Sequence, residues 1–262
     1  MKQTINTNTP WKPANSWSVF IVCAIVLILV LHAIAFFAHE YAHSFTAWIL
    51  GWKRNPLALN YGTLTVGNVL AQFQIDENVD YDPIFASGHD TQAAIIAGAG
   101  MVIGNGITYL ISRWGYNTAK RNNNYNWGLF FYWLCVASIG NFIDYVPVRT
   151  FAASGDMHTI TKGLHCSPWC IIVVLGIPFA IATALFFLKL EPRALYWLFP
   201  QSAARRVVMV LLTALLVFGF YGAAGWGNVD VISHTISVVS VCVFAPLAVA
   251  WGWWKMRRVS FR

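Results

Sequence analysis

Residues 39–43 read His39-Glu40-Tyr41-Ala42-His43, and they close an apolar stretch that begins at Trp17. From Val19 to Phe37 the chain is almost unbroken Val, Ile, Leu, Ala and Phe. About 20 such residues suffice to cross hydrocarbon as a helix, so the run predicts a transmembrane span with the motif inside it or at its edge. In a helix, positions i and i+4 share a face, so His39 and His43 can offer two imidazole nitrogens to one metal ion. Glu40 is too close in sequence to be an easy third ligand, but it is placed to hold a metal-bound water. Two His ligands, a carboxylate base and a third ligand from elsewhere form the pattern of a zinc hydrolase, with one Zn2+ per chain. The plain alternative is a structural polar cluster or a chance match. Against it stands the cost of ionisable groups in hydrocarbon, roughly 2.5–3.5 kcal/mol for a central charge, which makes such residues functional by default.

Working outward, the 262 residues are 58% hydrophobic and only 10% charged, where a soluble domain carries about 25% charged residues. The composition excludes a soluble globular protein and predicts an all-α polytopic membrane protein. Six spans are expected at 17–50, 93–112, 127–148, 168–188, 206–226 and 231–254, the first long enough to tilt, protrude or break near His32. Tyr61 to Val69 alternates and is β-rich, which predicts a short β-like hairpin or re-entrant segment after the first span. The organisation reads as a cytoplasmic tail at 1–16, a three-helix core at 17–165, and three further spans with a basic tail at 166–262. The apolar run after Lys2 and Lys12 is too long for a cleavable signal peptide.

Six spans put both termini on one side of the membrane. With that topology thirteen Lys and Arg fall on the terminal side, and only Lys53, Arg54, Arg149 and Lys162 on the other. Positive charge favours the cytoplasm, so both termini are expected there, with the motif toward the opposite side. The net charge of +7 is thus a topology signal with some attraction to anionic lipid, and does not point to nucleic acid. Most acids of the first outer loop, Asp76 to Asp82, are expected to be exposed. His89-Asp90 reads as a solvated loop pair, and His234 as a packed or interfacial histidine.

The glycines of Ala97 to Gly106 read as packing, and Asn105 among them as a buried amide that needs a partner. The third span ends in Asn141-Phe142-Ile143-Asp144-Tyr145-Val146-Pro147, and Asp156-Met157-His158 follows shortly after. In the six-span topology this end lies on the same side as His43. Asp144 and Asp156 are therefore the candidate third ligands, and His158 a weaker one. His32, seven residues before His39, projects near the same face; it can line a water path or hydrogen-bond a neighbouring helix. Pro178 and Pro246 are expected to kink their helices. Cys166 and Cys170 flank Ser167-Pro168-Trp169, a spacing that is not a standard zinc pair.

Over roughly residues 30–165 the sequence resembles the site-2 protease group of intramembrane zinc metalloproteases. That family pairs a His-Glu-x-x-His helix with a later span bearing Asn-x-x-Pro and then Asp-Gly. His39, Glu40 and His43 match the first element, Asn141 matches the Asn, and Asp156 the ligand Asp. Asp144 stands where the family has Pro, and Met157 where it has Gly. The resemblance implies hydrolysis of a transmembrane peptide or protein substrate, with Asp156 as third zinc ligand, Glu40 as general base and Asn141 holding substrate backbone or an oxyanion. Asp144, His32 and His158 are then candidates to support the ligands from behind. The edge of the 61–69 segment is expected to pair with an unwound substrate strand.

Two other classes compete. A membrane di-iron oxygenase, such as a desaturase or hydroxylase, typically needs about eight His in several boxes with adjacent pairs; this chain has seven His, none adjacent. A non-catalytic metal-binding or transport protein would not require Glu40 between the histidines.

Overall fold

The structure is a computed structural model that describes residues 17–227 and 230–259. The expected 1–16 tail and the last residues of the basic C-terminal segment lie outside it. Among the described residues the secondary structure is entirely helical, with no strand. Six helices are long and apolar enough to cross a membrane: Trp17–Ile49, Asp90–Arg121, Tyr125–Val148, Pro168–Leu198, Ala203–Ala223 and Val231–Arg257. The chain is a multi-pass membrane protein. Rows of exposed Val and Ile, such as Val22, Val26 and Val30 on the first span and Val173, Val174, Ile177 and Ile181 on the fourth, give it the apolar outer surface that a bilayer covers.

Two of the helices run about ten residues past the apolar stretches that announce them. The second reaches Arg121 and the fourth Leu198, because helical hydrogen bonding continues into polar sequence once a helix is nucleated. The first is one unbroken helix of 33 residues without a break at His32. It is about 50 Å long at 1.5 Å per residue, against a hydrocarbon core of about 30 Å. It ends at Gly51, where the Trp52 N–H reaches back to the Ala47 carbonyl at 2.9 Å. Pro178 and Pro246 each follow a wider π turn, Ile172–Gly176 and Ser240–Phe244, which takes up their missing N–H groups.

The third span is the pillar of the bundle. Of its most apolar stretch 78% is buried, against 28% for the first span, 17% for the fourth and 22% for the sixth. Trp133, Tyr132, Phe142 and Ile139 on it are fully enclosed. The second span packs along it with Gly115 against the Phe131 ring.

The loop after the first span doubles back as a hairpin would, but without strands. One antiparallel bridge, Asn60 with Asp76, closes it. The alternation expected to give β structure over 61–69 gives instead a short helix, Val66–Ala71, capped by the Thr65 side chain. The reason is the amide of Asn68, which donates to the Tyr61 and Thr63 carbonyls at 2.9 Å and accepts from the Gln74 N–H at 2.9 Å. These bonds use the backbone groups a strand partner would need. Lys53 clamps the loop base by donating to the Ala58, Glu77 and Asn78 carbonyls. Leu64, Val66 and Phe73 remain strongly exposed on its outer surface.

Candidate metal centre

Three elements meet near the end of the first span. The span itself brings His39, Glu40 and His43, all buried. The second span passes them through a π turn, Gly100–Asn105. The chain beyond the third span turns at Gly155, whose φ of +90° favours glycine, and opens the helix Asp156–Gly163 with Asp156 as its first residue.

His39 Nε2, His43 Nε2 and Asp156 Oδ2 form a small triangle. The two nitrogens are 2.9 Å apart, and the oxygen lies 3.0 Å from His39 and 3.3 Å from His43. This is the group among the described residues that could hold a metal ion. The donor set fits zinc, because a tetrahedral site with bonds of about 2.0–2.1 Å has ligand-to-ligand edges of roughly 3.3 Å. The tautomer fits as well. His43 Nδ1 is 2.7 Å from the Ile96 carbonyl. A carbonyl can only accept, so Nδ1 carries the proton and Nε2 turns its lone pair into the triangle. His39 Nδ1 lies 2.9 Å from the Asn105 side-chain amide, which lies 3.3 Å from the amide of Asn141. As placed, Asn105 Nδ2 faces His39 Nδ1 and its oxygen accepts from Asn141 Nδ2. A ligating His39, which needs Nδ1–H, requires the Asn105 amide turned end for end so that its oxygen accepts.

Gly100 makes the room. A Cβ there would run into His43 Nε2 and come within 2.6 Å of His39 Nε2. The sequence reading gave the glycines of this helix to packing. Gly104 fits that, lying against Ala38 and the His39 backbone, whereas Gly100 belongs to the site. Asp156 is electrostatically tied to the triangle: burial pushes its carboxyl pKa up, but in the metal-free site imidazoles protonated at Nε2 more than offset this by charge and hydrogen bonding, and hold it below the usual carboxylate range. A metal ion would take the place of those protons.

The remaining sequence candidates divide. Glu40 is not part of the triangle; it lines two cavities of about 420 Å³ each, one of which also contains Asp156. Asp144, the second choice for third ligand, lies apart from the triangle and pairs with Arg149 Nε at 2.8 Å. His158 is exposed and outside the group. Asn141 is buried, donates from its amide to Asn105 Oδ1 at 3.3 Å, and also lines the cavity that contains Glu40. His32 hydrogen-bonds a neighbouring helix, the second of its two expected roles. Its Nδ1 is 2.6 Å from the Tyr221 hydroxyl of the fifth span, and its ring lines the cavity that also holds Glu40 and Asn141. His89 is exposed, while Asp90 pairs with His165 at 2.9 Å. Cys166 and Cys170 are free thiols.

Glu77 and Tyr145 are among the residues that the sequence left unmarked. Glu77, expected to be exposed with its acidic neighbours, is half-buried and lines the cavity beside Asp156 and Glu40. Burial pushes its carboxyl above the ordinary range, and Tyr81 donates a hydrogen bond to it at 2.9 Å. Tyr145 packs its ring 4.2 Å from that of His39. Nothing in the local sequence marks either, because Glu77 depends on how the loop folds back over the first span and Tyr145 on how the end of the third span meets that span.

The fold and site together define an all-α polytopic membrane protein with a candidate His–His–Asp metal centre. No protein-family model, curated protein or solved structure matches the chain.

Proposed function

We propose that the protein is an intramembrane zinc metalloprotease. The observation that carries the reading is the separation of roles on one helix: His39 and His43 face Asp156, while Glu40, one residue on, opens into the adjoining cavity. A zinc ion held by His39, His43 and Asp156 supplies Lewis-acid chemistry and makes water acidic enough to ionise near pH 7. Glu40 takes a proton from the attacking water as the new C–O bond forms to the peptide carbonyl carbon. It then delivers that proton to the amide nitrogen as the C–N bond breaks, leaving a carboxylate and an amine. Ile96 holds His43 in its ligating tautomer, and Asn105, with its amide turned so that the oxygen faces Nδ1, would do the same for His39. The loop helix Val66–Ala71 and the residues after it border the cavity around Glu40, where an unwound substrate segment enters.

The same reading places both termini in the cytoplasm, supported by the thirteen-to-four distribution of Lys and Arg. What favours it over the di-iron oxygenase is that His32, His89, His158, His165 and His234 all lie outside the ligand group.

The test is metal content and cleavage of a membrane-embedded peptide by detergent-purified protein, with His39→Ala and Glu40→Gln beside it. The expected result is about one zinc per chain, lost in His39→Ala and kept in an inactive Glu40→Gln. About two irons per chain would move the assignment to the oxygenase. Full activity in Glu40→Gln would remove Glu40 from its role.

A further inference from the structure

We propose that Arg149 is a catalytic residue of this site, its guanidinium stabilising the negative charge that develops on the carbonyl oxygen of the bond being cleaved. The proposal rests on the proteolytic reading and adds the group that completes it.

Four observations carry it. The first is position. The two cavities beside the metal centre share Glu40, Tyr145 and Arg149 among their walls, so the proposed base and this guanidinium border both of them. A peptide carbonyl presented to Glu40 from either cavity lies beside a wall that includes Arg149.

The second is rigidity. Asp144 Oδ1 holds Arg149 Nε at 2.8 Å. The guanidinium sits over the Tyr145 ring, 4.9 Å from its centre, and that ring packs 4.2 Å from His39. The cation is thereby fixed relative to a metal ligand. A fixed donor needs no reorganisation as charge develops, which is the condition for strong electrostatic stabilisation.

The third is availability. The ion pair with Asp144 engages Nε, and among the described residues no protein acceptor is recorded for the two Nη groups. The Arg149 side chain is 42% exposed although its anchor Asp144 is buried. The planar fork thus offers donors to the cavities from a fully charged group. Asn141, the oxyanion candidate named by its sequence position, is only 3% exposed and engaged with Asn105.

The fourth is charge. The cavity that contains Asp156 is also lined by Glu40, Asp76 and Glu77, and Arg149 is the one Lys or Arg among its described lining residues. Negative charge appearing on a substrate oxygen meets several carboxylates there and needs a nearby cation.

The experiment compares purified wild type with Arg149→Gln and Arg149→Lys. The substrate probe is a fluorogenic peptide with a Leu/Ala transmembrane segment and a central helix-breaking Asn-Pro pair. A phosphinic analogue of the same peptide mimics the tetrahedral state, and its affinity and the zinc content are measured beside kcat and KM. Arg149→Gln is expected to keep its zinc and its KM while kcat falls about 10²–10³-fold, the usual loss for one oxyanion donor. Phosphinic-peptide affinity falls in parallel, and Arg149→Lys recovers part of both. A cleaving wild type with unchanged kcat in Arg149→Gln overturns the proposal alone. So does a rise in KM without a change in kcat, which would make Arg149 an anchor for a substrate carboxylate. Loss of zinc in both variants would make it a structural brace and overturn the proposal too. A wild type that holds zinc but cleaves nothing overturns the proteolytic reading, and this proposal with it.

Discussion

The first three spans and the last three spend their buried polar groups differently. Where the first three converge, the polar side chains form a connected set: Asp156 to the two imidazoles, each imidazole to a second partner, and Asn105 onward to Asn141. In the last three, buried polar groups stand singly. Glu191 is 1% exposed and neither carboxylate oxygen has a protein partner. Thr213 meets only the Tyr132 hydroxyl of the third span at 2.7 Å, and Tyr221 meets His32 of the first. The contrast teaches that the two halves solve different problems. The N-terminal half orients a few atoms, which takes networks in which every member constrains the next. The C-terminal half supplies apolar surface on both sides, packing the central third span while exposing Val174, Ile177 and Leu247 outward.

Breaking the network at its centre has the largest expected effect. Asp156→Ala should abolish metal binding and cleavage together, while Asp144→Ala should keep the metal. Metal analysis of the two variants checks this, and the reverse result would move the third ligand to Asp144. Glu40→Gln should leave metal content intact and lower the cleavage rate about 10²–10⁴-fold, the range for a lost general base; steady-state kinetics on the metal-loaded protein decides it.

One step further out, Asn105→Leu should weaken zinc affinity about 10–100-fold with the fold retained, as removal of a ligand's orienting partner typically does. Competition against a chelator of known affinity measures this, and an unchanged affinity would mean that the amide only fills space. In the contact between the halves, Tyr221→Phe removes the partner of His32 and should cost about 1 kcal/mol of stability, the usual value of one hydrogen bond. Thermal unfolding in detergent reads it. The smallest effect belongs to the C-terminal sheath: Val174→Ala on the outward face should stay within about 0.5 kcal/mol. A large loss there would mean that this face is covered by protein and not by lipid.

The His39–His43 pair was legible because i, i+4 spacing is a property of one helix, independent of the rest of the chain. The spans were legible for a similar reason, since a run of apolar residues needs no partner to declare itself. Their ends were less so, as Asp90–Arg121 and Pro168–Leu198 continue into polar sequence that hydropathy alone assigns to loops. The segment at 61–69 misled because its alternation is a strand pattern, while Asn68 binds the backbone groups that a strand would have offered. Asp144 and Asp156 looked alike as sequence: both are carboxylates that follow the third span on the expected side of the membrane.

By itself, then, the sequence determined an all-helical, six-span membrane chain and a two-imidazole face next to a glutamate, because apolar length and helical periodicity are local. Only the tertiary structure decided that Asp156 meets the imidazoles while Asp144 turns to Arg149, that Asn141 supports Asn105, and that Glu77 and Arg149 enter the cavity of Glu40. Those outcomes depend on how the spans pack and on where the chain reverses, as at Gly155 and in the loop clamped by Lys53. A reversal brings together residues far apart in sequence, and no local pattern records which ones will meet.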